Sequence, residues 1–320
     1  MKKTIMYCPL NDGHVVAEIQ KFAQATFEER VDGFKTVYGM VTLEGTNAFQ
    51  NIICNLPVID IENSDILLFD KVVADYDHQR RLDIFWEKNK MELQKPSVQQ
   101  STERELYFVV AALMQLKAYW DKKYRAEKYM YDIPPEDAYT KEKLKIKGYR
   151  LRGVELALDH GFNEVSARIR LGHDIDIRLS DITAFGSKDL EILDENHLYD
   201  LISSTELRYY VSDGRLIAPC IDETLMISNH LKDINWNSRD SLYQVYVESS
   251  EALTKLKLNE IGVEARAETI ATSRILLTCC ASSAPRSYSL TIKHGLVVDI
   301  RYKNKPIFVA YVPQEKFITQ

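Results

Sequence analysis

The chain has 320 residues, 45% hydrophobic and 28% charged, with a net charge of −6. These are ordinary globular proportions, and they exclude a disordered or fibrous chain. The acidic balance disfavours broad binding to nucleic acid or to acidic membrane surfaces.

In chain order, Val15, Val16, Ile19, Phe22, Ala23 and Phe27 recur at three- and four-residue steps, which predicts an amphipathic helix over 14–30. A second helix is expected at 79–93, where Leu82, Phe85 and Trp86 share a face. The segment 106–119 (LYFVVAALMQLKAY) is apolar on both faces and suits a central strand buried on both sides. From 141 the period changes to two. In 164–171, Val165, Ala167, Ile169 and Leu171 alternate with Glu164, Ser166, Arg168 and Arg170, as in a half-buried strand, and Ile175, Ile177 and Leu179 continue the pattern. Helical spacing returns at 190–202 and 222–232. From 243 to 312 the chain reads as strands: 243–247, 253–258, 288–293, 295–302 and 307–312, the last two joined by a turn at Lys303-Asn304-Lys305-Pro306. No repeat or linker interrupts the pattern, so one mixed α+β domain over 1–320 is expected.

Cysteine usage and targeting signals point to the cytoplasm. Cys8, Cys54, Cys220, Cys279 and Cys280 are odd in number and form no C-x-x-C pair. No Asn-x-Ser/Thr acceptor occurs. The apolar stretch 4–10 is shorter than the ~7–15 residues plus cleavage site of a secretory signal. The run 45–59 falls short of the roughly 18 apolar residues of a membrane span. A cytoplasmic monomer with reduced thiols is expected, with no membrane or nucleic-acid partner.

Common chemical signatures are missing: there is no G-x-G-x-x-G, no G-x-x-x-x-G-K-[ST], no H-E-x-x-H and no G-x-S-x-G. The acidic cluster His173-Asp174-Ile175-Asp176, with Asp181 beyond, offers metal-ligating residue types. Strand alternation sets His173 and Ile175 on one face and the two aspartates on the other, which favours a strand with one solvated face. The basic run 141–147, which carries Lys141, Lys143, Lys145 and Lys147, could hold a phosphate polymer. The preferred reading is an exposed edge strand whose lysines block pairing with other chains. No cofactor, no metal and no enzymatic activity are expected.

The C-terminal third carries a resemblance. Asn259-Glu260-Ile261-Gly262-Val263-Glu264-Ala265-Arg266-Ala267-Glu268-Thr269 resembles the hinge of the serpins, Asn-Glu-x-Gly-Thr-Glu-Ala followed by small residues and a Thr. Residues 293–313 resemble the serpin closing hairpin. The segment 106–124 looks like the central-sheet strand ending in Phe-Lys-Gly-x-Trp, matched by Lys117 and Trp120, and 216–221 keeps the Pro of a Leu-Pro-Lys-Phe strand as Pro219. The stretch 223–233 then stands where the family has a helix before the hinge. Order and spacing agree best over 75–313, with a faint hint of the poxvirus serpins in Cys279-Cys280-Ala281-Ser282.

The resemblance implies three β-sheets with about eight helices, and a reactive-loop region at 260–292. In an inhibitory serpin that loop is cut by its target protease and inserts as a strand, which needs alternate side chains small enough for a packed interior. One alternate set is Val263, Ala265, Ala267, Thr269, Ala271 and Ser273. The other, Glu264, Arg266, Glu268, Ile270 and Thr272, would face solvent. An exposed Ala/Glu/Arg-rich helix is the competing reading by propensity. Glu260, Gly262, Val263, Ala265, Ala267 and Thr269 are the implied hinge residues. Register from Glu260 puts the scissile bond at Leu276-Leu277, with Arg274, Ile275, Cys279 and Cys280 as alternatives. The chain departs from the family at Ala112, Ala252 and Val263, and near Lys35, where a buried polar cluster and the hinge Thr would stand. Two functions stay open: a protease inhibitor or decoy acting through 260–292, or a non-inhibitory serpin-fold protein that binds a partner, such as a viral host-interaction factor.

Overall fold

The computed structural model describes residues 2–32, 43–45, 66–100, 107–133, 143–158, 163–172, 174–186, 190–205, 207–229, 231, 235–238, 244–270 and 288–319. Its strands, in chain order, begin with β1 (Ile5–Tyr7), β2 (Leu43–Gly45), β3 (Leu67–Asp75), β4 (Phe108–Tyr119), β5 (Glu127–Ile133) and β6 (Leu144–Leu158). Next come β7 (Glu164–Gly172), β8 (Ile175–Asp181), β9 (Tyr209–Pro219), β10 (Ile221–Ser228), β11 (Asn235–Ser238) and β12 (Gln244–Tyr246). The chain closes with β13 (Glu251–Leu258), β14 (Gly262–Ile270), β15 (Ser289–Thr291), β16 (Gly295–Tyr302) and β17 (Lys305–Pro313). Three α-helices stand among the described residues, where the resemblance implies about eight: α1 (Pro9–Asp32), α2 (Gln79–Asn89) and α3 (Glu195–Ser204).

Two principal sheets carry the molecule. The larger runs β1-β17-β16-β8-β7-β6-β9-β15, with β5 also on β6; the second runs β10-β13-β14-β4-β3. Strands β12, β11 and β2 form a further three-stranded patch. The main core lies between the two sheets, drawing Met114 and Leu116 from β4, Leu256 and Leu258 from β13, and Phe308, Ala310 and Val312 from β17. The closing hairpin β16–β17 turns at Lys303 and Asn304, with φ of 48° and 65°. Two consecutive left-handed residues match the twist of the flanking strands.

Three expectations are corrected. Residues 221–228 form strand β10 rather than the start of a helix, because exposure alternates residue by residue and Ile221 to Ser228 pair in register with β13. The basic run enters β6, which is no edge: β5 pairs along one side, and on the other Lys147 bonds Ile318 and Cys220 before β9 takes over. Lys145 and Lys147 do point to solvent. The acidic cluster is neither one continuous strand nor solvated on one face: Asp176 is buried, as is every residue of β8. Gly172 (φ 101°) and Asp174 (φ 60°) turn the chain between β7 and β8.

Candidate functional site

The site is the slot in the middle of the five-stranded sheet. Strand β4 is buried from Val110 to Leu113 and at Met114, Leu116 and Ala118, as its two-sided apolar pattern predicts. Its Leu113 and Ala111 pack with Phe85 under α2. Between β4 and β13 lies β14, antiparallel to both, with Val263 opposite Ala118 and Leu258, and Ala267 opposite Met114 and Thr254. Along its length β14 meets the backbone donors and acceptors of both neighbours. The hinge is thus a strand, and the helical reading fails.

Of the small alternate set, Val263, Ala265 and Ala267 are each at most 1% exposed and join the main core. Thr269 falls in the row between Ala112 of β4 and Ala252 of β13. The two positions at which the resemblance implies polar partners therefore do flank β14, and here both are alanine. Lys35, Ala271 and Ser273 lie outside the described residues, as do the scissile-bond candidates Leu276, Leu277, Arg274, Ile275, Cys279 and Cys280.

Sequence reasoning missed the polar group that serves this row. Asn11, fully buried on α1, donates through Nδ2 to the carbonyl of Ala267 at 2.8 Å and to that of Ala112 at 3.4 Å. It ties β14 to β4 from beneath. The available signal was the polar run Asn11-Asp12 inside an apolar helix start. One turn on, half-buried His14 packs on Phe69 with ring centroids 4.6 Å apart. Burial, and then the positive charge of Lys71, push its pKa down to about 4.

The mouth of the slot is a tight turn. Asn259 accepts from the amides of Ile261 and Gly262 through Oδ1. Trp120 Nε1 donates to the Asn259 carbonyl at 2.8 Å, so Trp120, at the end of β4, stands beside the turn that leads into β14. Glu260 faces Lys128 at 3.4 Å. Gly262 is required by close approach: a Cβ there would lie 2.0 Å from the Ala118 carbonyl oxygen and 2.9 Å from Tyr119 Cα.

On the outer face, Glu264 pairs with Lys117 at 2.6 Å, both half exposed. Glu268 overturns the expectation of a solvated set: it has no exposed surface. The turn after α2 covers it, and its carboxylate accepts from the amides of Glu92 and Leu93 and from Arg266.

The other candidates do other work. Asp176 pairs with Arg178 at 3.0 Å beside a second buried pair, Asp299–Arg301 at 2.6 Å. Asp181 accepts from Thr183 and from the amides of Lys293 and His294. No group of three or more metal-ligating side chains gathers among the described residues, and His173 lies outside them. Cys8 and Cys220 are unpaired thiols held protonated by burial; Cys54, Cys279 and Cys280 lie outside the described residues.

No family model and no curated protein matches the sequence. Solved structures do. The cleaved, loop-inserted form of an ovalbumin mutant matches with a TM-score of 0.55 at 13% identity, over 97% of this chain and 93% of its own. Serpin48, described as a highly specific serpin of the insect Tenebrio molitor, matches with a TM-score of 0.51 at 10% identity, over 98% and 92%. The chain has the serpin fold, in a strongly divergent sequence.

Proposed function

We propose that the protein is a protease inhibitor or decoy whose segment 260–292 is offered to a target protease and whose first part becomes a strand of the five-stranded sheet. One observation carries this reading: Gly262–Ile270 fills the central slot with Val263, Ala265 and Ala267 turned into the core. Side chains this small let a strand enter without displacing larger ones, whereas overpacking a core costs about 1–3 kcal/mol. The likeness to a loop-inserted ovalbumin form supports the same use of the segment. On this reading the protein is a cytoplasmic monomer that needs no cofactor.

A second reading has its own support. The strand is seated while the chain is continuous, so the stability released by insertion is already realised in this state. A permanently seated strand would leave a non-inhibitory protein that binds a partner through its surface. Nicking near Arg274 with a trypsin-like protease separates the two. The inhibitory reading expects a sharp rise in melting temperature and a protease complex that survives denaturant. Simple cleavage, with neither rise nor complex, would sink inhibition and leave the binding protein.

A further inference from the structure

Glu268 is a charged residue with no exposed surface, in a strand that the proposed function requires to enter a sheet. Its two oxygens are fully engaged. Oε2 accepts from the amides of Glu92 and Leu93, both at 2.9 Å, and Oε1 from the Glu92 amide at 3.1 Å and Arg266 Nε at 2.8 Å. The amides belong to the turn that follows α2. That turn begins at Lys90 in the left-handed region, and Trp86 Nε1 fixes its far end by donating to the Leu93 carbonyl at 2.9 Å. Arg266 completes the roof. Its Nη2 donates to the carbonyls of Asn89 and Lys90, each at 3.1 Å, and its Nη1 to Gln115 Oε1 on β4 at 3.0 Å. Glu92 in turn meets Lys255 of β13 at 2.5 Å.

We infer that the turn 89–93 is a carboxylate receptor that reads how far the strand has entered the sheet, with Glu268 as its register pin. The chemistry allows one residue of β14 to fill it. Side chains of a strand alternate, so a slip that keeps the small set inward moves the chain by two residues. Such a slip would present either Arg266, a cation facing two N–H donors, or Ile270, which leaves those donors buried and unpaired. Either misfit is unfavourable, and only Glu268 satisfies every donor. The receptor also couples α2 to the strand: the turn closes over β14 only when β14 is seated at this depth. Glu268 and Arg266 are positioning residues, and the inference rests on the seated strand, not on inhibition.

Hydrogen exchange of the intact chain, resolved by peptide, tests it without any protease, so the outcome of the nicking experiment does not bear on it. Glu268→Ala should speed exchange of the amides around 90–95 and 262–270 by about tenfold or more, as the loss of a buried hydrogen-bond partner implies. The β16–β17 hairpin should be unchanged. Glu268→Gln, which keeps one acceptor oxygen, should give a smaller effect at the same places. Glu264→Gln on the same strand should give none. Should Glu268→Ala not fold, Arg266→Met reads the same roof and should loosen 89–93 together with 262–270. Unchanged exchange at 92 and 93, or a uniform rise that includes the hairpin, would overturn the inference.

Discussion

The closing hairpin and the seated strand are both buried in the same molecule, yet they are held by opposite means. In β16 and β17 nearly every residue is buried, and Tyr302, Phe308 and Tyr311 are among the largest fully buried side chains. Among the described side chains of β14 the small inward ones are Val263, Ala265 and Ala267, and the polar pins are Asn11 beneath and the turn 89–93 above. Burying a large apolar side chain contributes about 1.5–3 kcal/mol, whereas a net hydrogen bond contributes about 0.5–1.5 kcal/mol. The hairpin is therefore tied into the core by volume, which cannot be withdrawn without leaving cavities. The strand is tied by backbone pairing and by bonds that water can replace. The two segments thus reach the same degree of burial with very different side-chain volumes.

The contrast is sharpest at Phe308. Truncation there, Phe308→Ala, should cost about 3–5 kcal/mol, the range for large-to-small changes in a packed interior. Urea unfolding should show the whole transition moving to lower denaturant, because the hairpin supports both the main core and the cluster under α3. A variant within about 1 kcal/mol of the parent would contradict the packed-hairpin half of the comparison.

A smaller and more local effect is expected at the mouth of the slot. Gly262→Val places a side chain against the backbone of Ala118 and Tyr119, where nothing flexible can give way. The strand should be displaced from its first pairs, with a stability loss of about 1–3 kcal/mol, as for overpacking. Exchange should rise in 262–266 and stay low in β16–β17. A melting temperature and exchange pattern equal to the parent's would mean that Gly262 does not lie against β4 in solution.

Much of this architecture was legible because it repeats a period. The two-sided apolar run 106–119, seen as β4, and the small set Val263, Ala265 and Ala267 state a burial pattern outright; the alternation of 164–171 marks a strand, but Ser166, expected on its solvated face, is fully buried. What was not legible depends on what covers a face. Glu268 sits on the outer, charged face of its strand, as alternation says, but nothing in a period-two pattern announces that the turn after α2 will close over it. Asn11 is similar: a polar residue at a helix start reads as solvated until the sheet it faces is known. The strand at 221–228 was missed for a related reason. Leu225, Met226 and the residues around them fit either period, and pairing with β13 decided the matter.

The smallest effect concerns pH and extends the contrast to the helix beneath the sheet. His14 sits on α1 against Phe69 of β3, with Lys71 and Glu18 nearby, and its Nε2 is buried without a hydrogen-bond partner. Burial, then the field of Lys71, lower its pKa from 6.5 to about 4. A histidine with a depressed folded pKa binds its proton more readily in the unfolded chain. Between about pH 6.5 and 4 the unfolded state therefore takes up more protons, and stability falls as pH falls through that window. Above it the ring is neutral in both states, and below it charged in both, so the contribution is flat outside the window. The full shift corresponds to at most about 3 kcal/mol, and screening at a half-buried ring brings the expectation to about 1–2 kcal/mol. His14→Phe keeps the ring stack and removes the titration. Urea unfolding at pH 7 and pH 4.5 should show the variant losing less stability than the parent by that amount, with the carboxylates common to both cancelling in the difference. Parallel losses in the two proteins would mean that His14 is solvated, and that the support beneath the five-stranded sheet is less tightly packed than the hairpin's.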